Sequence, residues 1–514
     1  MSKSKRVLLN SGYLYAKMII SLFISLFTTR IILNVLGSSD FGLYNLIAGI
    51  TMMLAFINVT LTSSTQRFMS IAQGENKFEK QVSIFNISLI IHTVAATIII
   101  VVLFISSFFI FDGFLNIDPA KIHSAKIVFY IVIIITMLNI ISVPFEAAIN
   151  AHEDMLFFSI LGLIETVLKF VSALLLMVII LDKLIVYGFA LLTIALVLLI
   201  CKVFYVLKKY PESKINPLKY FDKNIYKEMI SFSSWGFLTS TISIVTSYGQ
   251  NILINIFFGT KVNAAQGVSG QVIGQVGSVT NVLLRALNPV IYKSAGANDS
   301  VLFMQSVKTG SKLAFLSFSI IGIPVIFEME YIFKMWLKEV PDFTIAFCTI
   351  SMIGFILGHL TITVESAIFA TGRIKNFTIV KSITDIIPFL FVYIFFKLGY
   401  PPYSMYIVGL IFEIVRQSII LYYGKKLCDL DIKDFIIGNI IKPISISVIA
   451  ILSIILIQMV FSTSILRVLI TSGFSAILTL VLYYFIGFSK KEQTIIDSIF
   501  YSIKEKIIYL FNKN

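Results

Sequence analysis

Residues 82–111 read VSIFNISLIIHTVAATIIIVVLFISSFFIF, thirty positions without a lysine, arginine, aspartate or glutamate. A helix rises about 1.5 Å per residue, and about 20 apolar residues already cross the hydrocarbon layer of a bilayer. Comparable runs recur along the whole chain with short polar breaks. Spans are expected at 11–33, 41–63, 82–111, 122–147, 155–181 and 184–207, then at 229–258, 263–291, 306–329, 342–370, 376–397, 403–424, 438–461 and 465–488, which makes fourteen. Composition agrees: 58% hydrophobic, 14% aromatic and 13% charged residues, with a mean hydropathy of +0.94, leave too little polar surface for a soluble globule. A transmembrane β-barrel would show alternating segments of about ten residues, and these are absent.

Lysine and arginine set the expected topology. With the N-terminus in the cytoplasm they fall predominantly in cytoplasmic segments, most densely at Lys202, Lys208, Lys209, Lys214, Lys219, Lys223 and Lys227. An even number of spans also places Lys490, Lys491, Lys504 and Lys506 inside. The first span follows Lys3, Lys5 and Arg6 as a signal peptide would. It carries Lys17 and Arg30 and lacks a small-residue cleavage site, so it is expected to stay as an anchor. The net charge of +14 is scattered over many loops, which fits contact with anionic headgroups and not nucleic-acid binding.

A faint duplication organises the chain. Pro144-Phe145-Glu146-Ala147-Ala148-Ile149-Asn150-Ala151 resembles Thr363-Val364-Glu365-Ser366-Ala367-Ile368-Phe369-Ala370, at an offset of 219. Ile32-Leu33-Asn34 to Gly37 pairs with Ile254-Asn255 to Gly259, and Asn58-Val59 with Asn281-Val282, at nearly that offset. Six spans separate the copies, so the repeat is parallel. The fold class expected is an all-α polytopic membrane protein of about fourteen helices, two parallel-repeat six-helix lobes plus two extra C-terminal helices. The expected divisions are an N-terminal lobe at 1–207, a basic cytoplasmic linker at 208–228, a C-terminal lobe at 229–424, helices 13 and 14 at 425–488 and a basic tail at 489–514.

Polar stripes suggest which helices line a cleft. Gln271, Gln275, Ser278, Asn281, Arg285 and Asn288 follow at steps of 4, 3, 3, 4 and 3, which keeps them on one helical face. The matching helix of the first lobe carries Tyr44, Thr51, Asn58, Thr62 and Gln66. Span one offers Lys17, Ser21, Ser25 and Thr28, and span seven Ser243, Thr246, Ser247, Gln250 and Asn251. Such groups also join helices through hydrogen bonds, the blander reading for any single serine. A charge at the bilayer centre costs about 3 kcal/mol on insertion scales. Lys17, Arg30 and Arg285 on these helices therefore point to an anionic substrate, and arginine's fork suits phosphate oxygens. Lys17 and Arg30 lie near the ends of their span, where snorkelling to headgroups is the alternative. The substrate-binding candidates are Lys17, Arg30, Asn58, Gln250, Gln271, Gln275, Asn281 and Arg285.

Among the acids, Glu165 with Lys169 and Glu413 with Arg416 have the spacing of pairs that neutralise each other on one helix, a structural role. Asp385 has no like-placed basic partner and precedes Pro388, so it is the first candidate for a proton or sodium site. Glu146 and Glu365 occupy equivalent repeat positions, where pairing with lysines would cap an inner gate, and a simple interfacial role is the alternative. Cys201, Cys348 and Cys428 form neither a metal pattern nor a disulfide framework, and the four histidines do not cluster, so no metal and no catalytic residue is expected. No phosphate-binding G-x-x-x-x-G-K-[ST] loop occurs. Uphill work must then draw on an ion gradient, with H⁺ or Na⁺ as coupling ion, on the membrane potential or on consumption of product.

Leu36-Gly37-Ser38-Ser39-Asp40-Phe41-Gly42-Leu43-Tyr44-Asn45 resembles the L-G-x-x-x-[FY]-G-x-[YF] signature of polysaccharide-repeat-unit flippases of the Wzx type, in the multidrug/oligosaccharidyl-lipid/polysaccharide exporter superfamily. The span count, the two parallel lobes and the Pro144 to Met155 segment are similar too. The resemblance implies an undecaprenyl-diphosphate-linked oligosaccharide moved from the cytoplasmic to the external leaflet of a bacterial inner membrane by alternating opening of the lobes. A polysaccharide polymerase and glycosyltransferases are the implied partners, and Lys17, Arg30 and Arg285 would hold the diphosphate. Multidrug extruders of the superfamily usually carry an acid in their first helix, where this chain is basic. Lipid II flippases share fourteen spans and a cationic cavity, and a non-transporting envelope scaffold would need no such stripe. A green-fluorescent reporter fused after the last residue is expected to fluoresce, and an alkaline phosphatase placed there to stay inactive. The opposite pattern would put the C-terminus outside.

Overall fold

The computed structural model describes residues 3–52, 55–109, 111, 121–337, 340–494 and 496–497. Among them every regular element is helical. The order is α1 (Lys3–Met52), α2 (Ala55–Gly74), α3 (Phe78–Phe109), α4 (Ile122–Ala151), α5 (Met155–Leu175), α6 (Lys183–Lys209), α7 (Lys223–Gly296), α8 (Ser300–Trp336), α9 (Thr344–His359), α10 (Ile362–Thr371), α11 (Lys375–Lys397), α12 (Ser404–Cys428), the short α13 (Ile432–Phe435), α14 (Lys442–Val460) and α15 (Ile465–Leu482). Helix starts are set by the sequence. Asp182 accepts from Leu184 N and Ile185 N ahead of α6, and Asp299 accepts from Leu302 N ahead of α8. Lys208 and Lys209 close α6, where cations favour the carbonyl end of the helix dipole.

Among the described residues eleven helices are long and apolar enough to cross a membrane, or twelve if α9 and α10, bent by 48°, form one broken span. Two expected spans are missing from that number. The stretch 41–63 includes residues 53–54, which lie outside the described residues, as do side chains through most of the Leu36–Asn45 motif. The stretch 263–291 is helical, but its glutamines and asparagines make it less apolar than the others. Gly259 interrupts α7 at φ 79, ψ −176, so the element is two helices joined at a glycine.

Two compact units are formed, one mainly by residues 10–240 and the other mainly by 241–295 together with 299 onward. In the first, α4 is central. It packs against α2, α3 and α6, and its Val128, Phe129, Phe145, Ala147 and Ala148 are buried. The basic stretch after α6 is fixed to this unit: Glu212 and Ser213 are buried, and Asn86 of α3 donates to Lys214 O and accepts from Asn216 N, both at 2.8 Å. In the second, α8, α9, α11 and α12 surround a core of Phe318, Phe347, Met352 and Val392. Helices α14 and α15 are held to α8 by Arg467, whose Nη2 donates to the fully buried Glu328 at 2.8 Å, and by Gln458, which donates to Phe327 O at 2.9 Å.

The two copies of the duplicated motif share a burial pattern and differ in course. Each copy buries its small residues and leaves one glutamate half-buried, Glu146 or Glu365, with Phe369 of the second copy half-buried as well. The first copy continues one helix through Pro144, whereas the second begins just after the break between α9 and α10.

Gly259 occupies a conformation that only glycine adopts readily, and strain of this kind costs about 1–3 kcal/mol. Gly259→Ala is expected to lower the melting temperature in detergent. Gly274→Ala, a helical position with nothing within 4 Å of the added methyl, is expected to leave it unchanged or raise it.

Candidate functional site: a charged cavity in the second unit

Four helical segments of the second unit line an open cavity of about 520 Å³. The α7 segment before Gly259 brings Ser243, Thr246 and Gln250, the broken span α9–α10 brings His359 and Glu365, α11 brings Lys381 and Asp385, and α12 brings Glu413, Arg416 and Gln417. The ionic groups form two bonded sets lining the same cavity. Arg416 donates to Asp385 Oδ1 from Nε at 2.9 Å and pairs with the same oxygen through Nη2 at 2.7 Å, while its Nη1 donates to Glu413. Lys381 Nζ donates to Glu365 Oε1 at 2.7 Å. Asp385 and Glu413 keep only 11% and 13% of their side-chain surface, so these charges rely on one another more than on water. Three carboxylates face two cations, which leaves one negative charge in excess when all are ionised.

Local sequence explains how the groups meet. Asp385 and Lys381 are four residues apart on α11 and face the same side. On α12, Glu413, Arg416 and Gln417 share a face in the same way, with Gln417 donating to Glu413. Gly358 lets α9 approach, since a methyl there would lie 3.1 Å from Glu413 Oε1. The break after His359 is stabilised from outside the span: Ser311 donates to the Leu360 carbonyl and Thr361 donates to Gln417. Glu365 falls in the first turn of α10, where the helix dipole favours a carboxylate. His359 directs Nδ1 at the Phe355 carbonyl and packs its ring 4.8 Å from that of Phe318.

A family model described as "Polysaccharide biosynthesis protein" matches residues 7–294. The chain belongs to this family. No curated protein matches it. Three solved structures illustrate what this family member is similar to. A mutant MATE protein has a TM-score of 0.73 at 13% identity, over 84% of this chain and 97% of its own. A MOP superfamily transporter from Pyrococcus furiosus, described as having reversed binding-pocket polarity, has a TM-score of 0.72 at 12% identity, over 84% and 96%. An outward-facing multidrug resistance MATE family transporter has a TM-score of 0.70 at 12% identity, over 84% and 96%. At these identities the likeness is one of fold: the polysaccharide biosynthesis protein is a multi-helix chain apolar enough to cross a membrane many times, built on the fold that these structures share.

Of the residues singled out in the sequence, Ser243, Thr246, Gln250, Glu365, Asp385, Glu413 and Arg416 share the cavity. Gln271, Gln275 and Asn281 are exposed and Arg285 half-buried on the α7 segment beyond Gly259, and none of the four lines it. In the first unit, Lys17 is half-buried with its ammonium 5.2 Å from the Phe158 ring centre, and its end fills the space that a side chain at Gly162 would take. Ser21 bonds Thr166 at 3.0 Å, whereas the Ser25 and Thr28 hydroxyls turn back onto Leu22 O and Ile24 O of their own helix. Arg30 is exposed, and the Asn58 side chain lies outside the described residues. Glu146 pairs with Lys202 of α6 at 3.2 Å, and Glu365, its counterpart, pairs with Lys381 of α11, so the repeat keeps the acid and changes the helix that answers it.

Asp385 does have basic partners: Lys381 lies one turn before it on α11, a spacing already present in the sequence, and the bond itself comes from Arg416 of the neighbouring α12. Arg416 also holds Glu413, so it bridges two helices and is more than the second half of a pair on α12. A double-mutant cycle on Asp385→Asn and Arg416→Gln is expected to give a coupling of about 1–3 kcal/mol by thermal unfolding, as contacting members of one ionic network do. A cycle on Glu330 and Lys334, an exposed i,i+4 pair, is expected to give no more than about 0.5 kcal/mol.

Proposed function

We propose that this protein is a flippase that moves an undecaprenyl-diphosphate-linked oligosaccharide from the cytoplasmic to the external leaflet of a bacterial inner membrane, for a capsule, O-antigen or similar polymer. The observation that carries the reading is the match to the polysaccharide biosynthesis family over 7–294, joined to a transporter fold. On this reading the chain is a transporter and not a catalyst, with its termini in the cytoplasm. Lys17, Arg30 and Arg285, with Asn58, Gln271, Gln275 and Asn281, serve the diphosphate and sugars, and the lipid tail stays in the bilayer.

The charged cavity supplies the coupling step. Protonation of one carboxylate, or entry of a sodium ion, removes the negative excess and weakens the hold of Arg416 or Lys381 on the partner that has been neutralised. Since Arg416 joins α11 to α12 and Glu365 sits beside the break in α9–α10, occupancy of the cavity changes the balance between two arrangements of these helices. Gln250 completes the wall, and Glu146 with Lys202 is the corresponding gate pair of the first unit.

A second reading is supported by the multidrug transporters among the similar folds and by the excess carboxylate, which suits an organic cation. Proteoliposomes separate the two. A fluorescent undecaprenyl-diphosphate oligosaccharide is expected to cross with wild type and to lose most of its protein-dependent rate with Arg285→Ala or Arg30→Ala. Asp385→Asn is expected to abolish the response to an imposed ion gradient while leaving passive exchange. Expulsion of an organic cation, with no movement of lipid-linked sugar, would transfer the protein to the multidrug reading.

A further inference from the structure

The connection between α6 and α7 lies apart from the charged cavity. It is short, because α6 ends at Lys209 and α7 begins at Lys223, and both belong to helices apolar enough to cross a membrane. It is also fixed in place. Asn86 holds the backbone at Lys214 and Asn216, and Glu212 is buried against His152, whose ring stacks on Tyr210 at 3.9 Å. Yet Leu218 is 95% exposed, Ile215 52% and Phe221 45%, with the exposed Lys214, Lys219 and Lys223 interleaved among them. The acids on either side are already occupied: Glu212 by His152, and Asp222 by the Asn224 and Ile225 amides it caps at 2.8 and 3.1 Å.

We propose that this segment is a membrane-surface anchor. Leu218, Ile215 and Phe221 enter the headgroup–acyl boundary of the adjoining leaflet, and Lys214, Lys219 and Lys223 lie on the phosphates of anionic lipids. Charge alone assigns the lysines to the headgroup region. The structure adds a pinned backbone that cannot fold its leucine back onto the protein, between two helix ends that hold it near the bilayer. A large exposed aliphatic side chain in that position gains by entering the interface, and lysine stems reach from it to phosphates. Each lysine adds attraction to an anionic surface, and that attraction falls with salt. The anchor acts on the first unit whatever the transported molecule is.

The test uses the full chain reconstituted in vesicles of phosphatidylethanolamine and phosphatidylglycerol at 3:1, with a nitroxide on Leu218→Cys after Cys201, Cys348 and Cys428 are changed to alanine. The label is expected to meet oxygen more readily than a water-soluble nickel chelate. That preference is expected to be lost when Lys214, Lys219 and Lys223 become glutamine, or in purely zwitterionic vesicles at high salt. A label that meets the nickel chelate more readily than oxygen in the anionic vesicles overturns the proposal. Leu218→Trp in the chain with its native cysteines gives an independent reading should the cysteine-free protein fail to fold. Its added fluorescence is expected to be quenched by phosphatidylglycerol brominated near the head of the acyl chain, and unquenched emission also overturns the anchor.

Discussion

Hydrocarbon offers no hydrogen-bond partner, and nearly everything in this molecule follows from that one deficit. The backbone must close its own bonds, so every described element is helical and the polar ends are capped by residues such as Asp182 and Asp299. Side chains obey the same condition. Ser25 and Thr28 return their hydroxyls to the preceding turn, and the fully buried Glu328 is satisfied by both Arg467 and Gln458. A buried ion pair adds little net stability compared with a well-packed apolar pair, but losing one partner is costly. Ionic residues retained inside such a protein therefore mark fixed joints or working parts.

That distinction separates two of the buried networks of the second unit. Arg467 and Glu328 tie α15 to α8 with opposite charges in balance, which suits a joint. The cavity network is unbalanced by one carboxylate, opens to a space of about 520 Å³ and sits beside a bent span. An excess charge next to a broken helix can be neutralised by a small cation and so can shift helix positions, which a balanced joint cannot do as readily. The two halves of the duplication show the same divergence. Glu146 and Glu365 are retained at matching places, one in a continuous helix and the other in the first turn after a break, with lysine partners drawn from different helices.

The basic stretch after α6 shows how a segment polar in sequence becomes specific in structure. Read as composition it is a linker, yet Asn86 and His152 hold it to the first unit and determine which of its side chains face outward.

Sequence alone determined the class of this protein, because a charge-free run such as 82–111 is stable only as a helix in lipid and period and length are local properties. It also located Asp385, Glu365 and Gln250, since a charge or amide within an apolar run is visible without knowing its neighbours. Spacing along α11 offers Asp385 only Lys381, whereas its bonded partner is Arg416, because i,i+3 and i,i+4 arithmetic sees one helix while that bond crosses from α12 to α11. The polar stripe through Gln271 and Gln275 was legible as a stripe, but its absence from the cavity wall depends on how α7 turns at Gly259. Contacts between helices are fixed by packing of surfaces far apart in the chain, and only the tertiary structure decided them.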